Sequence, residues 1–123
     1  MDREWNDREP IYRQLRDRVV AMILDGLLKE GDPLPSVRSV AAEYQINPLT
    51  VLKGYQSLVD EGLVEKRRGL GMFVREGAHR NLMKNEREQF LKNEWPLILQ
   101  RIQRLGLDLM ELAKGNGEKG AKS

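Results

Sequence analysis

Cysteine is absent from this sequence, and with it go disulfides, thiolate catalysis, iron–sulfur clusters and Cys-based zinc sites. Histidine is nearly absent. His79 has no second His near it and the local carboxylates fall into no metal-ligand spacing, so no metal is expected and His79 reads as an exposed residue between domains. No run of about 18 consecutive apolar residues is available to cross a bilayer. The opening Met1-Asp2-Arg3-Glu4-Trp5 lacks the basic-then-apolar profile of a signal peptide, so a cytoplasmic protein without a membrane partner is expected. Catalytic constellations are missing too. Glu86, Glu88, Glu94 and Asp108 are interspersed with Lys and Arg, the pattern of a solvated helical face. Gly69-Leu70-Gly71 is followed by no helix bearing the lysine of a phosphate loop. Neither an enzyme nor a cofactor is expected, and no internal repeat is visible.

What is present is a globular composition. Of 123 residues, 40% are hydrophobic and 33% charged, more charge than the globular average of about 25%. The length suits one domain with a modest appendage. The net charge of +2 divides unevenly: residues 1–76 carry 12 Lys/Arg against 13 Asp/Glu, and residues 77–123 carry 9 against 6. Bulk charge therefore announces no polyanion. Local placement says more, because Arg38, Lys53, Lys66, Arg67, Arg68 and Arg75 fall within one short stretch, three of them consecutive.

Periodicity divides the chain. Ile11, Leu15, Val19, Met22, Ile23 and Leu27 recur at spacings of three and four and predict a first helix over 10–27, closed by the turn residues Gly31-Asp32-Pro33. Ser36 offers a hydroxyl cap for a second helix over about 36–45 that buries Val37, Val40, Ala41 and Tyr44. Gln45-Ile46-Asn47 has room only for a tight turn. Asn47-Pro48 then starts a third helix over about 48–61, with Val51, Tyr55, Leu58 and Val59 inward and Gly62 as its stop. After Gly62 the period changes. Leu63–Arg67 and Met72–Arg75 read as short strands flanking the glycine-bearing loop Arg68–Gly71. Three helices followed by a β-hairpin is the winged-helix order.

From about 79 the helical pattern returns with Leu82, Phe90, Leu91, Trp95, Ile98, Leu99, Ile102 and Leu105, interrupted by Pro96, which predicts a kink near Glu94–Pro96. Gly106 ends this helix and Asp108 caps a last short one through Ala113. Gly and Lys dominate 115–123, which is expected to be a disordered tail. The expected domains are 1–76, 77–114 and that tail. The fold class is α+β, mainly helical: an N-terminal winged helix-turn-helix with a short two-helix extension.

A three-residue turn between two helices fits helix-turn-helix geometry, in which the second helix enters the major groove, and it also fits an ordinary helical corner. Lys66-Arg67-Arg68-Gly69 fits a phosphate-contacting tip and also a solvated charged turn. In the order found, the two features support each other. The extension, about 35 residues long and strongly apolar, cannot enclose a core by itself. Phe90, Leu91, Trp95, Ile98, Leu99, Ile102 and Leu105 are its expected dimerisation residues, since two-fold regulators read palindromic DNA with two recognition helices. Any small-molecule effector would sit at that dimer interface, because the region is too small to surround one within a subunit.

Pro10-Ile11-Tyr12, Leu34-Pro35-Ser36-Val37-Arg38, Gly62-Leu63-Val64 and Gly69-Leu70-Gly71-Met72-Phe73-Val74, taken in this order, resemble the DNA-binding domain of the GntR family of bacterial regulators over residues 10–75. Asn47-Pro48-Leu49-Thr50-Val51 and the short extension are similar to its YtrA subfamily. The resemblance implies a homodimeric regulator of double-stranded DNA, a repressor, with membrane-transport genes among its targets. It implies contacts from Ser36 and Arg38, groove contacts from Asn47, Leu49, Thr50 and Lys53, and wing contacts from Arg68, Gly69 and Gly71, to which the basic run adds Arg67. Many relatives carry arginines early in the recognition helix, where this chain has Pro48, Leu49 and Leu52. Contact with thymine methyls, amide readout by Asn47 and shape readout by the wing take their place. Three residues keep two readings each: Asn47 as cap or base reader, Leu52 as core or groove residue, Arg38 as DNA contact or partner of Glu43 or Asp32. For the whole chain the rival reading is a winged-helix docking module that does not touch DNA.

Overall fold

The computed structural model describes residues 5–115. Along the chain run α1 (Ile11–Leu24), α2 (Val37–Tyr44), α3 (Pro48–Asp60), β1 (Val64–Arg67), β2 (Gly71–Val74), α4 (Ala78–Gln89), a π-helical turn (Phe90–Glu94), α5 (Trp95–Arg104) and α6 (Leu109–Ala113). Apart from Gly115, the expected tail lies outside the described residues. Two compact units form, Met1–Met83 and Lys84–Ser123. The first reaches past the boundary expected at residue 76, because Ala78 and Leu82 from the opening turns of α4 are buried in its core.

That core gathers Leu15, Val19, Val20 and Ile23 of α1, Val40 and Ala41 of α2, Val51, Tyr55 and Leu58 of α3, and Val64 and Val74 of the hairpin. α1 stops at Leu24, three residues before the predicted end. Gly26 takes φ +80° there, while the Gly26 N–H donates to Ile23 O and the Leu27 N–H to Met22 O, which is a Schellman motif. The reversal leaves Leu27 70% exposed and buries Leu28 in its place. Gln14 is the buried polar residue: its Nε2 donates to the carbonyls of Asn6 and Glu9, and its Oε1 accepts from the Asn6 N–H at 3.0 Å. Those bonds tie down the segment ahead of α1, where Trp5 meets Tyr44 edge-on at 6.1 Å.

The helix-turn-helix follows from its caps. Ser36 Oγ accepts from the Ser39 N–H at 3.1 Å and Asn47 Oδ1 from the Leu49 N–H at 2.8 Å, with Pro48 at the first helical position of α3. Gln45 closes α2 at φ 55°, the one non-glycine residue in the left-handed region among those described. Tyr55 locks the two helices together by donating its hydroxyl to Pro35 O at 2.7 Å. Burial, aided by nearby Tyr44, pushes that phenol up to about 12. The protonated phenol therefore favours the fold, a contribution present below pH 10 and lost as pH rises from about 10 to about 12.

α3 lies close against α1 at Gly54, where a Cβ would stand 2.9 Å from Tyr12 O. One turn along α1, the Arg16 guanidinium grips both carboxylate oxygens of Glu61, with Nε to Oε2 at 2.9 Å, and its Nη1 reaches Asp17 at 2.7 Å. These hydrogen bonds raise the already high guanidinium pKa further. The wing strands pair antiparallel, Val64 with Val74, Glu65 with Phe73, Lys66 with Met72 and Arg67 with Gly71. A third segment, unforeseen in the sequence, joins β2 along its other edge: Gly31 and Leu34 N–H donate to Val74 O and Met72 O, and the Val74 N–H donates to Asp32 O.

In the second unit Pro96 has no N–H to give. The helix widens ahead of it, so that the Trp95 N–H reaches back five residues to Phe90 O. Gly106 ends α5 at φ +68°, and Asp108 Oδ1 caps α6 through the Met110 N–H at 2.9 Å. No described helix is long and apolar enough to cross a membrane.

Gly54→Ala should lower stability by about 1–3 kcal/mol through overpacking against Tyr12 O, although alanine is the better helix former by about 1 kcal/mol. Urea denaturation reads this as a lower midpoint; an unchanged midpoint would show that α1 shifts aside at no cost.

Candidate nucleic-acid interface

Arg38 projects from the first turn of α2 into solvent and makes no hydrogen bond or ion pair among the described residues. Neither expected rival holds it: the Asp32 carboxylate caps its own turn by accepting from the Lys29 N–H at 2.8 Å, and no Glu43 pair with Arg38 forms. The Ser36 hydroxyl is exposed but engaged, since it also donates to Ser39 Oγ at 3.0 Å.

On α3, burial of Val51, Gly54, Tyr55 and Leu58 turns the opposite face outward. Leu49 is 71% exposed and Leu52 41%, so Leu52 is not a core residue. The Asn47 oxygen serves as cap, while its Nδ2 donates to nothing among the described residues. Thr50 is half-buried on the flank. Lys53 is exposed, with its Nζ 4.3 Å from the centre of the Tyr12 ring.

The wing obeys strand alternation. Val64 and Lys66 share one face with Val74 and Met72; Glu65, Arg67 and Phe73 share the other. Arg67 therefore stacks on the Phe73 ring at 4.2 Å and donates to Glu65 Oε2 at 2.8 Å, while Arg75 approaches the second Glu65 oxygen at 3.8 Å. Arg67, expected as a wing contact, thus also meets a carboxylate and a ring within the hairpin. Lys66 and Arg68 have no such partner among the described residues. The Leu70 N–H donates to Arg67 O at 2.9 Å, and Gly69 adopts φ +76° at the third position of that turn, as a type II turn requires. Gly71 follows at φ +115°, and nothing lies within 4 Å of a Cβ at either glycine, so the tip is open to a groove wall.

The sequence profile of the family described as "Bacterial regulatory proteins, gntR family" matches residues 11–74, from the start of α1 to the end of β2. The chain belongs to the GntR family. It is 30% identical over 115 residues to the uncharacterized HTH-type transcriptional regulator YhcF of Bacillus subtilis, covering 94% of this chain and 93% of YhcF. It is 40% identical over 77 residues to the HTH-type transcriptional repressor YtrA of the same organism, 63% of this chain and 59% of YtrA. A solved structure of YtrA from Sulfolobus acidocaldarius, a GntR-family transcription factor, superposes with a TM-score of 0.57 at 34% identity, over 73% of this chain and 95% of that one. This GntR chain is thus a DNA-binding transcriptional regulator of the YtrA type with a winged helix-turn-helix, and not an enzyme.

Lys66, read from the sequence as part of the basic tip without a role of its own, is set apart from Arg67 by the strand. Its signal was parity: two positions beyond buried Val64 on a strand, it shares the face turned toward α3. His79, expected to be exposed, is so, with Nε2 3.3 Å from Leu24 O at the end of α1.

Arg38→Ala should raise the operator dissociation constant at least about tenfold, equivalent to about 1.4 kcal/mol, with the melting temperature nearly unchanged, and Arg38→Lys should recover only part. Lower thermal stability with intact affinity would make the residue structural. Arg68→Ala and Lys66→Ala should each reduce the salt slope of binding by about one, and Arg67→Ala by less. Equal effects from all three would reject the parity argument.

Proposed function

We propose that this GntR regulator is a cytoplasmic repressor that binds a two-fold symmetric operator as a homodimer. One observation carries the reading: from Lys84 to Gly115 no side chain is buried, although Phe90, Leu91, Leu97, Ile98, Leu105, Leu107, Leu109 and Met110 are large, apolar and exposed, and Trp95, Leu99 and Ile102 are only half-buried. Such a surface needs a cover. A second copy supplies a self-complementary one and sets two recognition helices roughly 34–36 Å apart, one helical turn of DNA. Phe90 and Trp95, with ring centres 6.3 Å apart, the α5 residues Ile98, Leu99 and Ile102, and Leu105 at its C-cap form the centre of that contact.

On each half-site Arg38 and Ser36 approach the backbone at the start of α2. Asn47, Leu49, Thr50 and Lys53 face the major groove, and Lys66, Arg68, Gly69 and Gly71 face the flanking strand. Repression is supported by the name of the YtrA relative; membrane-transport genes as targets rest on the subfamily resemblance alone.

Sedimentation at micromolar concentration should give a dimer for the full chain and a monomer for residues 1–83, which hold a core of their own. Selection from random duplexes should return a palindrome. A monomeric full chain, or a dimer that survives truncation at residue 83, would overturn the homodimer assignment.

A further inference from the structure

Between α3 and the wing lies a groove of about 380 Å3. Buried Leu34 and Tyr55 are at its base, Leu52 of α3 and Leu70 and Met72 of the hairpin stand along it, and Lys66 lines it as well. None of these residues comes from the second unit.

We propose that this groove binds a small amphipathic monoanion, an acyl or arylalkyl carboxylate, and that the bound ligand competes with DNA. The volume lies near the lower end of the roughly 300–1,000 Å3 of small-molecule sites, and like them the groove joins apolar walls to few polar groups. Leu52 at 41% and Leu70 at 73% exposure leave apolar surface in water that a ligand body would cover. Charge selects the head group. Arg67 is met by Glu65, the Ser36 hydroxyl by Ser39, and Lys66 is the lining cation without a partner among the described residues, so the groove complements one negative charge. A DNA strand is a poor filling for it: phosphates lowered onto Leu34, Leu52 and Met72 would lose water and gain few donors. DNA belongs to the rim, where Lys66 serves both partners, and a ligand headgroup on Lys66 removes one phosphate contact and blocks the approach of the strand. The ligand thereby acts at the DNA-reading surface itself, in place of the dimer interface expected for an effector. The competition rests on the DNA-binding surface described above; the site itself does not.

The test separates the two. The full chain with labelled Leu and Met methyls is titrated, without DNA, with hexanoate, octanoate and decanoate, and with octan-1-ol as the uncharged probe. Saturable shifts are expected at Leu52, Leu70 and Met72, with affinity rising about fourfold per added methylene until the groove is full. Lys66→Gln should weaken octanoate at least fivefold and leave octanol unchanged. In a second arm, octanoate should displace operator DNA with an inhibition constant equal to its directly measured dissociation constant. No saturation with any of the three acids overturns the site, as do shifts confined to Phe90–Leu112, which would move the acid to the extension. Binding at the three methyls with unaltered operator affinity overturns the competition and leaves the site standing. A ligand-free chain that prefers no duplex would instead sink the reading of the DNA surface.

Discussion

Two helices can bring their backbones nearly into contact only where one of them carries no side chain, and α3 does this against α1 at Gly54. The approach is fastened on one side by Arg16 and Glu61 and on the other by the burial of Leu15 and Tyr55. Because α1 fixes α3 so closely, the outward face of α3 is also fixed, and with it the exposure of Leu49, Leu52 and Lys53. Tyr55 then passes the constraint on by holding the carbonyl one residue before the α2 cap, and the 31–34 segment passes it to the wing by pairing with β2. The surface parts are thus tied around a single packed helix pair by the Tyr55 hydroxyl and by backbone hydrogen bonds between the 31–34 segment and β2, which suits a surface that must keep its shape before its partner arrives.

Charge on that surface is distributed sparingly. An N-terminal region with fewer cations than anions can meet a polyanion only by keeping its few useful cations unneutralised, and the arrangement does this by pairing others elsewhere. Arg16 is committed to Glu61 and Asp17, and Arg67 to Glu65 and the Phe73 ring. Arg38, Lys66 and Arg68 have no ion-pair partner among the described residues. Leu49, Leu52 and Leu70 are exposed on the same surface, which makes it more apolar than one built from cations alone.

The features legible in the sequence were those with local causes. Ser36, Asn47-Pro48 and Asp108 announced helix starts because a side-chain acceptor is chemically visible two or three residues ahead of the N–H it meets, and Gly62, Gly106 and Pro96 marked endings and a break for equally local reasons. The features that escaped are non-local. Leu27 and Leu28 exchanged places because a Schellman turn, absent from simple periodicity, redirects the chain. Ala78 and Leu82 belong to a core most of whose members come from α1, α2 and α3, far back along the chain. Arg67 and Lys66 look equivalent in a basic run until the run is known to be a strand, whose alternation puts Arg67 beside Glu65 and Lys66 on the face of buried Val64. The groove between α3 and the wing, assembled from the 34–37 segment, α3 and the hairpin, has no local signature at all.

The π-helical turn ahead of Pro96 inserts one residue into what is otherwise a single helical run. One residue of α-helix is about 100° of rotation, so the apolar stripe of α5 is turned by that amount from where regular winding would have placed it relative to α4. Deleting Lys92 or Asn93 would keep every apolar side chain and every cap, and would still turn the face of α5 relative to the residues before it. In a dimer built on that stripe, a change of one codon would turn the contact face of the extension while leaving every residue of the winged helix as it is.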